Sequence, residues 1–486
     1  MSNIPKNIRV RMWGFACAAL LLILISVSWL NAFRAKDAKT NEEIETAEAQ
    51  VMLKTIEMPA TEMTSQADAS REPSLVELAK RNIRVLIRTS RFENLFHKEL
   101  LISSDQKWYL EYGEEQEKRE WHDAGETIWI TEESTFFSRE SSCVQIGTAE
   151  TNGRIILKNV EREQGAPSYR GTLEIRKLSD GMTVINSLGL EEYLHGVVPS
   201  EMPASYPREA LKAQAICART YAVSHLLTPG YPDFNAHLDD STAFQAYGNQ
   251  PEQENASNSI EETKGMVLLT REGVLADTFY YSTSCGKGTD VSVWDDAGGE
   301  MVNPFMEAVD DPDFLLEESR EDLEYELPWY RWTYEVQKLD LGAFESRLQA
   351  LMETDEPFRI NILHDLVVTK RAKGGAAKEL AIISEEGTYW IRGERRIREL
   401  LCDGKTMAKR KDGSESFCSK LLPSAFFLME IGKKDGKVAG YRLTGGGYGH
   451  GVGMSQNGAM KMALQGRKAE DILKYYYDDC ILFKVE

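Results

Sequence analysis

Gly189-Leu-Glu-Glu-Tyr-Leu-His-Gly-Val-Val-Pro-Ser-Glu-Met-Pro203, followed by Ala204-Ser-Tyr-Pro-Arg-Glu-Ala-Leu-Lys-Ala-Gln-Ala-Ile-Cys-Ala-Arg-Thr-Tyr221, is the most informative stretch of this chain. One carboxylate, Glu201, is expected in a short turn between Pro199 and Pro203, delivered by the apolar run Gly196-Val197-Val198. A helix is expected next. Pro207 suits its first turn, Glu209 complements its positive end, and Leu211, Ala215, Ala218 and Ala222 form one narrow face that can pack closely on a sheet. A carboxyl held on a stiffened backbone beside apolar residues has its pKa raised by burial, which suits a general acid. A helix-capping or solvated glutamate is the alternative reading. Arg219 lies next to the small-residue face and is expected to point into the domain. A buried guanidinium needs an anion there, either at the Glu201 turn or on a bound ligand, or else it caps backbone carbonyls.

This stretch resembles the signature of the stage II sporulation protein D (SpoIID/LytB) family. Three further blocks follow in the family's order: Phe244-Gln245-Ala246-Tyr247, Tyr281-Ser282-Thr283-Ser284-Cys285-Gly286, and Gly449-His450-Gly451-Val452-Gly453-Met454-Ser455-Gln456-Asn457-Gly458-Ala459. The resemblance runs from about Ile83 to the C-terminus, loosely over 300–385. It implies a peptidoglycan lytic transglycosylase with Glu201 and Arg219 as catalytic residues. Gln245, Tyr247, Ser282, Ser284, His450, Ser455 and Gln456 would bind substrate. Some relatives carry cysteine and histidine zinc ligands just before the second block. Ala243 and Phe244 occupy those places here, so no metal and no cofactor is expected.

The chain has 486 residues, 42% hydrophobic and 28% charged, which is globular composition with room for one large or two ordinary domains. A net charge of −20 argues against nucleic acid or an anionic lipid surface as the main partner. Met12 to Leu30 carries no charge and is about the ~20 residues a bilayer requires. Lys6, Arg9 and Arg11 precede it, and Asn31-Ala32-Phe33-Arg34 is a poor cleavage site. A single-pass cell-membrane anchor with the bulk of the chain outside is therefore expected, a cleaved signal peptide being the alternative. The seven cysteines form no C-x-x-C pair. Outside the cell Cys402 and Cys418, nearest in sequence, have the opportunity to bridge, as do Cys143 and Cys480, though spacing establishes no pairing.

The organisation read from the pattern is a tail at 1–11, an anchor at 12–30, a polar stalk at 31–80, a β-rich region at 81–185 and a core at 186–486. The alternation Ile83, Val85, Ile87 and the runs Ile128-Trp129-Ile130, Ile155-Ile156-Leu157 and Thr172-Leu173-Glu174-Ile175 read as strands. Strands interleaved with helices without regular βαβ alternation predict an α+β fold. The Trp329-Tyr330-Arg331-Trp332 cluster reads as core packing ahead of sugar stacking. In the glycine-dense segment Gly445–Gly453, which lacks a Gly-Lys-Ser/Thr ending, glycines are expected to admit a ligand, with Ser455 capping a helix from Gln456.

A glycosidase that uses water ordinarily needs two carboxylates. The resemblance supplies one, which suits a transglycosylase whose nucleophile is the sugar's own 6-hydroxyl, while Asp239, Asp240 and Glu191 remain candidate second acids. The expected partners are peptide-stripped glycan strands, a cell-wall amidase and a membrane protein of the engulfment machinery. The other class the resemblance allows is a non-catalytic, glycan-binding amidase enhancer.

Overall fold

The computed structural model describes residues 74–113, 116–137, 142–294, 312–316, 319–352 and 359–485. The expected tail, the anchor at 12–30 and most of the stalk lie outside the described residues. Among those residues no helix is long and apolar enough to cross a membrane. The last turn of the expected stalk is folded: α1 (Leu75–Ala79) is capped by Ser74, and Leu78 is buried in the core.

The fold is α+β, with eight α-helices and six mostly antiparallel sheets among the described residues. A seven-stranded sheet runs in the order 238–239, 82–87, 181–189, 172–178, 143–148, 108–112, 118–122. The Ile83-Val85-Ile87 alternation puts all three side chains in the core, and this strand pairs antiparallel with Gly181–Gly189, Ile83 facing Leu188. That pairing crosses the expected boundary at 185/186, so the β-rich region and the core share one sheet. A four-stranded sheet (127–131, 99–104, 155–157, 168–169) lies beside it in the same hydrophobic core.

Strand Gly181–Gly189 runs straight into α2 (Leu190–Glu201), whose Glu192 carboxylate accepts the Gly189 N–H at 3.2 Å and closes the helix start. After a tight turn comes α3 (Arg208–Leu227), beginning one residue past Pro207. Leu211, Ala215, Ala218 and Ala222 are all buried, but so are residues around the rest of the helix, which therefore forms the centre of the first core. Against α3 pack α4 (Glu254–Glu262) and strand 266–270, which pairs antiparallel with 480–484 from the far end of the chain.

A second core is built on a five-stranded sheet (415–417, 407–410, 332–336, 437–445, 427–434) and a three-stranded sheet (363–371, 377–384, 388–392). Two helices cover them, α5 (Leu341–Met352) and α6 (Glu394–Leu401). Trp332 and Tyr334 are fully buried here, whereas Trp329 stays partly exposed and packs on Tyr448 with ring centroids 4.7 Å apart. Core packing thus explains only part of the tryptophan cluster. Strand 437–445 then leads through the glycine-dense loop back to the first core, where 454–455 pairs in parallel with 280–281 and precedes α7 (Gln456–Leu464) and α8 (Ala469–Tyr476).

Two sequence expectations are corrected. Glu201 is the last residue of helix α2, not part of a turn. Pro199 lies in the final turn, where its missing N–H forfeits a single bond, and the Met202 N–H still reaches the Val198 carbonyl at 2.9 Å. The loop glycines, for their part, admit the protein's own backbone. At Gly453, with φ +77°, a Cβ would stand 2.0 Å from the Phe279 carbonyl oxygen.

Candidate functional site

The end of α2 presents Glu201 to the loop that carries Gln245. The Ala246 N–H donates to Glu201 Oε1 at 2.5 Å, and the Gln456 amide donates to the Glu201 backbone carbonyl at 3.0 Å. Glu201 stays partly accessible, yet burial of its carboxyl pushes its pKa up to about 7, with only the Ala246 N–H and the Gln456 amide opposing the shift. A carboxyl near 7 still holds its proton in much of the population at neutral pH, as a general acid must.

The loop beneath it is tied down by the expected second block. Gln245 is fully buried: it accepts from the Tyr193 hydroxyl at 3.1 Å and donates to the Tyr280 hydroxyl at 2.9 Å and the Ala218 carbonyl at 3.3 Å. The buried Tyr247 donates to Asn186 Oδ1 at 2.6 Å, and its ring lies against Gly196, where a Cβ would come within 2.5 Å of it. Both residues therefore position the backbone that holds Glu201.

Beside this loop is a cavity of about 330 Å³. It is lined by Tyr221, Gln245, Phe279 and Tyr280, with Ala243 and Phe244 where relatives were expected to differ. Trp294, Glu394, Arg395 and His450 complete the lining, the Trp294 ring lying against Phe279 with centroids 4.8 Å apart. Glu201 adjoins it: Ala246 is the neighbour of Gln245, and the Glu201 charge acts on Tyr221 and Tyr280. His450 is packed edge-on to Trp294 at 5.1 Å, and its Nδ1 accepts the Val452 N–H at 3.1 Å. Burial pushes His450 down to about 4, so its ring is neutral at physiological pH.

Glu394, the first residue of α6, was not singled out from the sequence. It is buried, and its carboxylate meets Arg398 Nη1 at 2.9 Å. Burial works against its charge, but Arg398 and a hydrogen bond from Trp294 hold it below the usual carboxylate range. Glu394 in the cavity lining is thus held ionised, while burial holds Glu201, bonded to the Ala246 N–H next to Gln245, towards its protonated form; environments that push two carboxyls apart in this way are the pattern of acid–base sites. Its only trace in the sequence is Gly393-Glu394 at a helix start, inside a segment without a motif.

The remaining expected residues knit the glycine loop to the first core. Ser455 caps α7 as expected, its Oγ accepting the Gly458 N–H at 3.2 Å. The Ser282 carbonyl accepts from the Asn457 N–H at 3.0 Å, and the Ser284 N–H donates to Glu324 Oε2 at 2.8 Å. Gln456 reaches Glu201 directly, so the closing motif bears on the acid through that contact. Cys285 is buried and its thiol is pushed up to about 11, which leaves little thiolate. Cys402 and Cys418 stand as buried thiols, with Cys402 Sγ 3.2 Å from the Cys418 carbonyl; Cys143 and Cys480 are half-buried.

Arg219 points into the domain as expected, but its anion is Glu191 and not Glu201. Nε and Nη2 each meet a Glu191 oxygen at 2.8 Å, and Nη1 donates to the Met266 carbonyl at 3.1 Å. The structure thus places the expected catalytic arginine in the packing of α2, α3, α4 and strand 266–270. The other candidate acids are also occupied. Asp239 pairs with Arg88 at 2.7 Å and accepts from Tyr231, while Asp240 pairs with Arg162 at 2.5 Å.

Glu201 also makes stability depend on pH. Its folded pKa of about 7 lies above the ordinary 4.5, so between these values the folded state binds the proton that the unfolded state has lost. Stability from this group is therefore complete below about 4.5 and falls as pH rises through 7. Glu324, raised to about 8 by burial, and Asp240, raised to about 6, act in the same direction. Thermal melts across this range are expected to show a falling midpoint, with a shallower slope in Glu201→Gln. An unchanged slope would mean that the carboxyl ionises normally.

Residues 178–270 match the Stage II sporulation protein (SpoIID) family, and residues 312–453 match a domain of unknown function, DUF8618. The chain is similar to the amidase enhancer of Bacillus subtilis strain 168, at 30% identity over 308 residues, 58% of this chain and 39% of that protein. It therefore spans well under half the length of that relative. It is 27% identical over 307 residues to stage II sporulation protein D of the same organism, 60% of this chain and 74% of the relative. An uncharacterized protein of Brachyspira hyodysenteriae is 29% identical over 336 residues, 68% of this chain and 74% of its own.

Proposed function

The chain carries a SpoIID-family domain, and from that premise we propose that it is a lytic transglycosylase. It cleaves between N-acetylmuramic acid and N-acetylglucosamine in peptide-stripped strands, held at the cell membrane by the segment 12–30. The observation that supports this most is Glu201: a carboxyl raised to about 7 by burial, bonded to the Ala246 N–H beside a cavity-lining loop, while Glu191, Asp239 and Asp240 are committed to arginines.

The chemistry needs only one acid that works twice. Glu201 gives its proton to the glycosidic oxygen as the bond to C1 of the muramic residue breaks, releasing a free hydroxyl on the leaving sugar. The muramic 6-hydroxyl then closes on C1, and its proton returns to the Glu201 carboxylate. The acid is regenerated and no water is consumed. An intramolecular nucleophile is already positioned, which replaces the second carboxylate a hydrolase requires.

The products are expected to end in 1,6-anhydro-N-acetylmuramic acid, and mass spectrometry of purified strands after digestion checks this, since each such end is lighter by one water than a reducing end. Activity is expected to persist in chelator, because Ala243 and Phe244 cannot ligate a metal. Reducing ends alone would make the protein a hydrolase, with Glu394 the first carboxylate to test as base.

Similarity to an amidase enhancer supports a second reading, a glycan-binding protein that stimulates a partner amidase. Intact strands after prolonged incubation, together with faster peptide release by an added amidase, would establish that reading in place of the first. Sporulation, through engulfment with an amidase and a membrane partner, is the setting the family suggests.

A further inference from the structure

Residues 312–453 have no assigned function, yet they supply part of the cavity beside Glu201. The supply point is the start of α6, where Gly393, with φ +84°, turns the chain out of strand 388–392 and brings Glu394 and Arg395 to the wall. The two residues differ in what they offer. Glu394 is buried and its charge is met by Arg398 at 2.9 Å. Arg395 is exposed, with a side-chain accessibility of 58%, and its Nε meets Glu399 at 3.2 Å one turn along the same helix. Such a solvent-facing pair is weak and readily exchanged for a better anion.

Around this cation the wall is aromatic: Phe244, Phe279 and Trp294. Apolar ring faces suit the C–H face of a pyranose, and a guanidinium forks onto a carboxylate through two parallel N–H bonds. Together they describe a sugar that bears a carboxylate. In a chain of net charge −20, a cation at a cavity is not part of the general surface field. Resting on the glycan reading above, we propose that Arg395 receives the free lactyl carboxylate of an N-acetylmuramic acid residue in this cavity. Residues 312–453 thereby select strands whose peptides have been removed. A stem peptide turns that carboxylate into a neutral amide, which leaves the guanidinium no charge to pair.

The test is calorimetric binding by the full-length chain carrying Glu201→Gln, so that ligand is not consumed, with and without Arg395→Gln. Three ligands are compared: peptide-free strands, the same strands with lactyl carboxylates converted to methylamides, and N-acetylglucosamine oligomers, which lack the lactyl group. Arg395→Gln is expected to weaken binding of peptide-free strands by about tenfold or more and to leave the other two ligands unaffected. Amidation of the strands is expected to cost the parent the same factor and the Arg395→Gln variant nothing, the non-additivity of two groups in contact. Arg395→Lys retains part of the preference. Equal losses on all three ligands, or no loss on peptide-free strands, would overturn the assignment while leaving the glycan reading intact. If the parent binds none of the three, the glycan reading itself fails, and this inference with it.

Discussion

Glu201→Gln is expected to reduce cleavage of peptide-free strands by about 10²–10⁴-fold, the usual contribution of a positioned general acid, with strand binding and fold retained. The amide is close in shape to the protonated acid, and its oxygen can still accept the Ala246 N–H that now holds Oε1 at 2.5 Å. It cannot release a proton to a leaving oxygen. Because burial already favours the neutral carboxyl, a neutral replacement removes the penalty of ionisation above pH 7, so the variant is expected to melt no lower than the parent there. Turnover is followed as released glycan fragments by chromatography, alongside thermal melts. A variant that cleaves at nearly the parental rate would remove Glu201 as the acid, and the enhancer reading would take its place.

Arg219→Ala is expected to cost about 3–5 kcal/mol of stability, the range for breaking one side of a buried ion pair. The guanidinium is 1% exposed and spans four elements: Glu191 on α2, its own helix α3, the Ile260 carbonyl on α4 and the Met266 carbonyl of strand 266–270. Removing it leaves the Glu191 carboxylate facing a cavity, together with carbonyls that lose their donor. Glu191 retains some contact with solvent, its side chain being 23% exposed, which favours the lower end of that range. Urea denaturation measures the loss, and pairing the change with Glu191→Gln is expected to recover part of it, since no charge is then left unpaired. Turnover per folded molecule is expected to stay near the parental value. A fall in turnover with unchanged stability would instead put Arg219 in contact with substrate.

How far each residue could be read in advance follows from the range of the forces involved. Ser455 was legible as a helix cap because capping depends on a few neighbouring residues, and Ile83, Val85 and Ile87 were legible as a strand because alternation is local. Glu201 was singled out by its neighbours Met202 and Pro203 and by the resemblance that the 178–270 match supports, though its helix was missed, since a proline in a last turn reads like a loop. Gln245 and Tyr247 were found as residues that matter, but they hold the loop under Glu201 through buried hydrogen bonds. Glu394 and Arg395 carried no motif at all.

By itself, then, the sequence determined the elements and the acid: an α+β pattern, a small-residue helix at the centre, and one glutamate in a setting that burial would perturb. Tertiary structure decided what each charge faces. Arg219 takes Glu191, 28 residues away, and Gln456 closes on Glu201 across 255 residues. Glu201 rises to about 7 beside the Gln245 loop, while Glu394, from the second core, is held ionised in the cavity that this loop also lines. Burial and ion pairing depend on distance in space, and a linear chain specifies which residues approach only after its two cores have packed and the glycine loop has joined them.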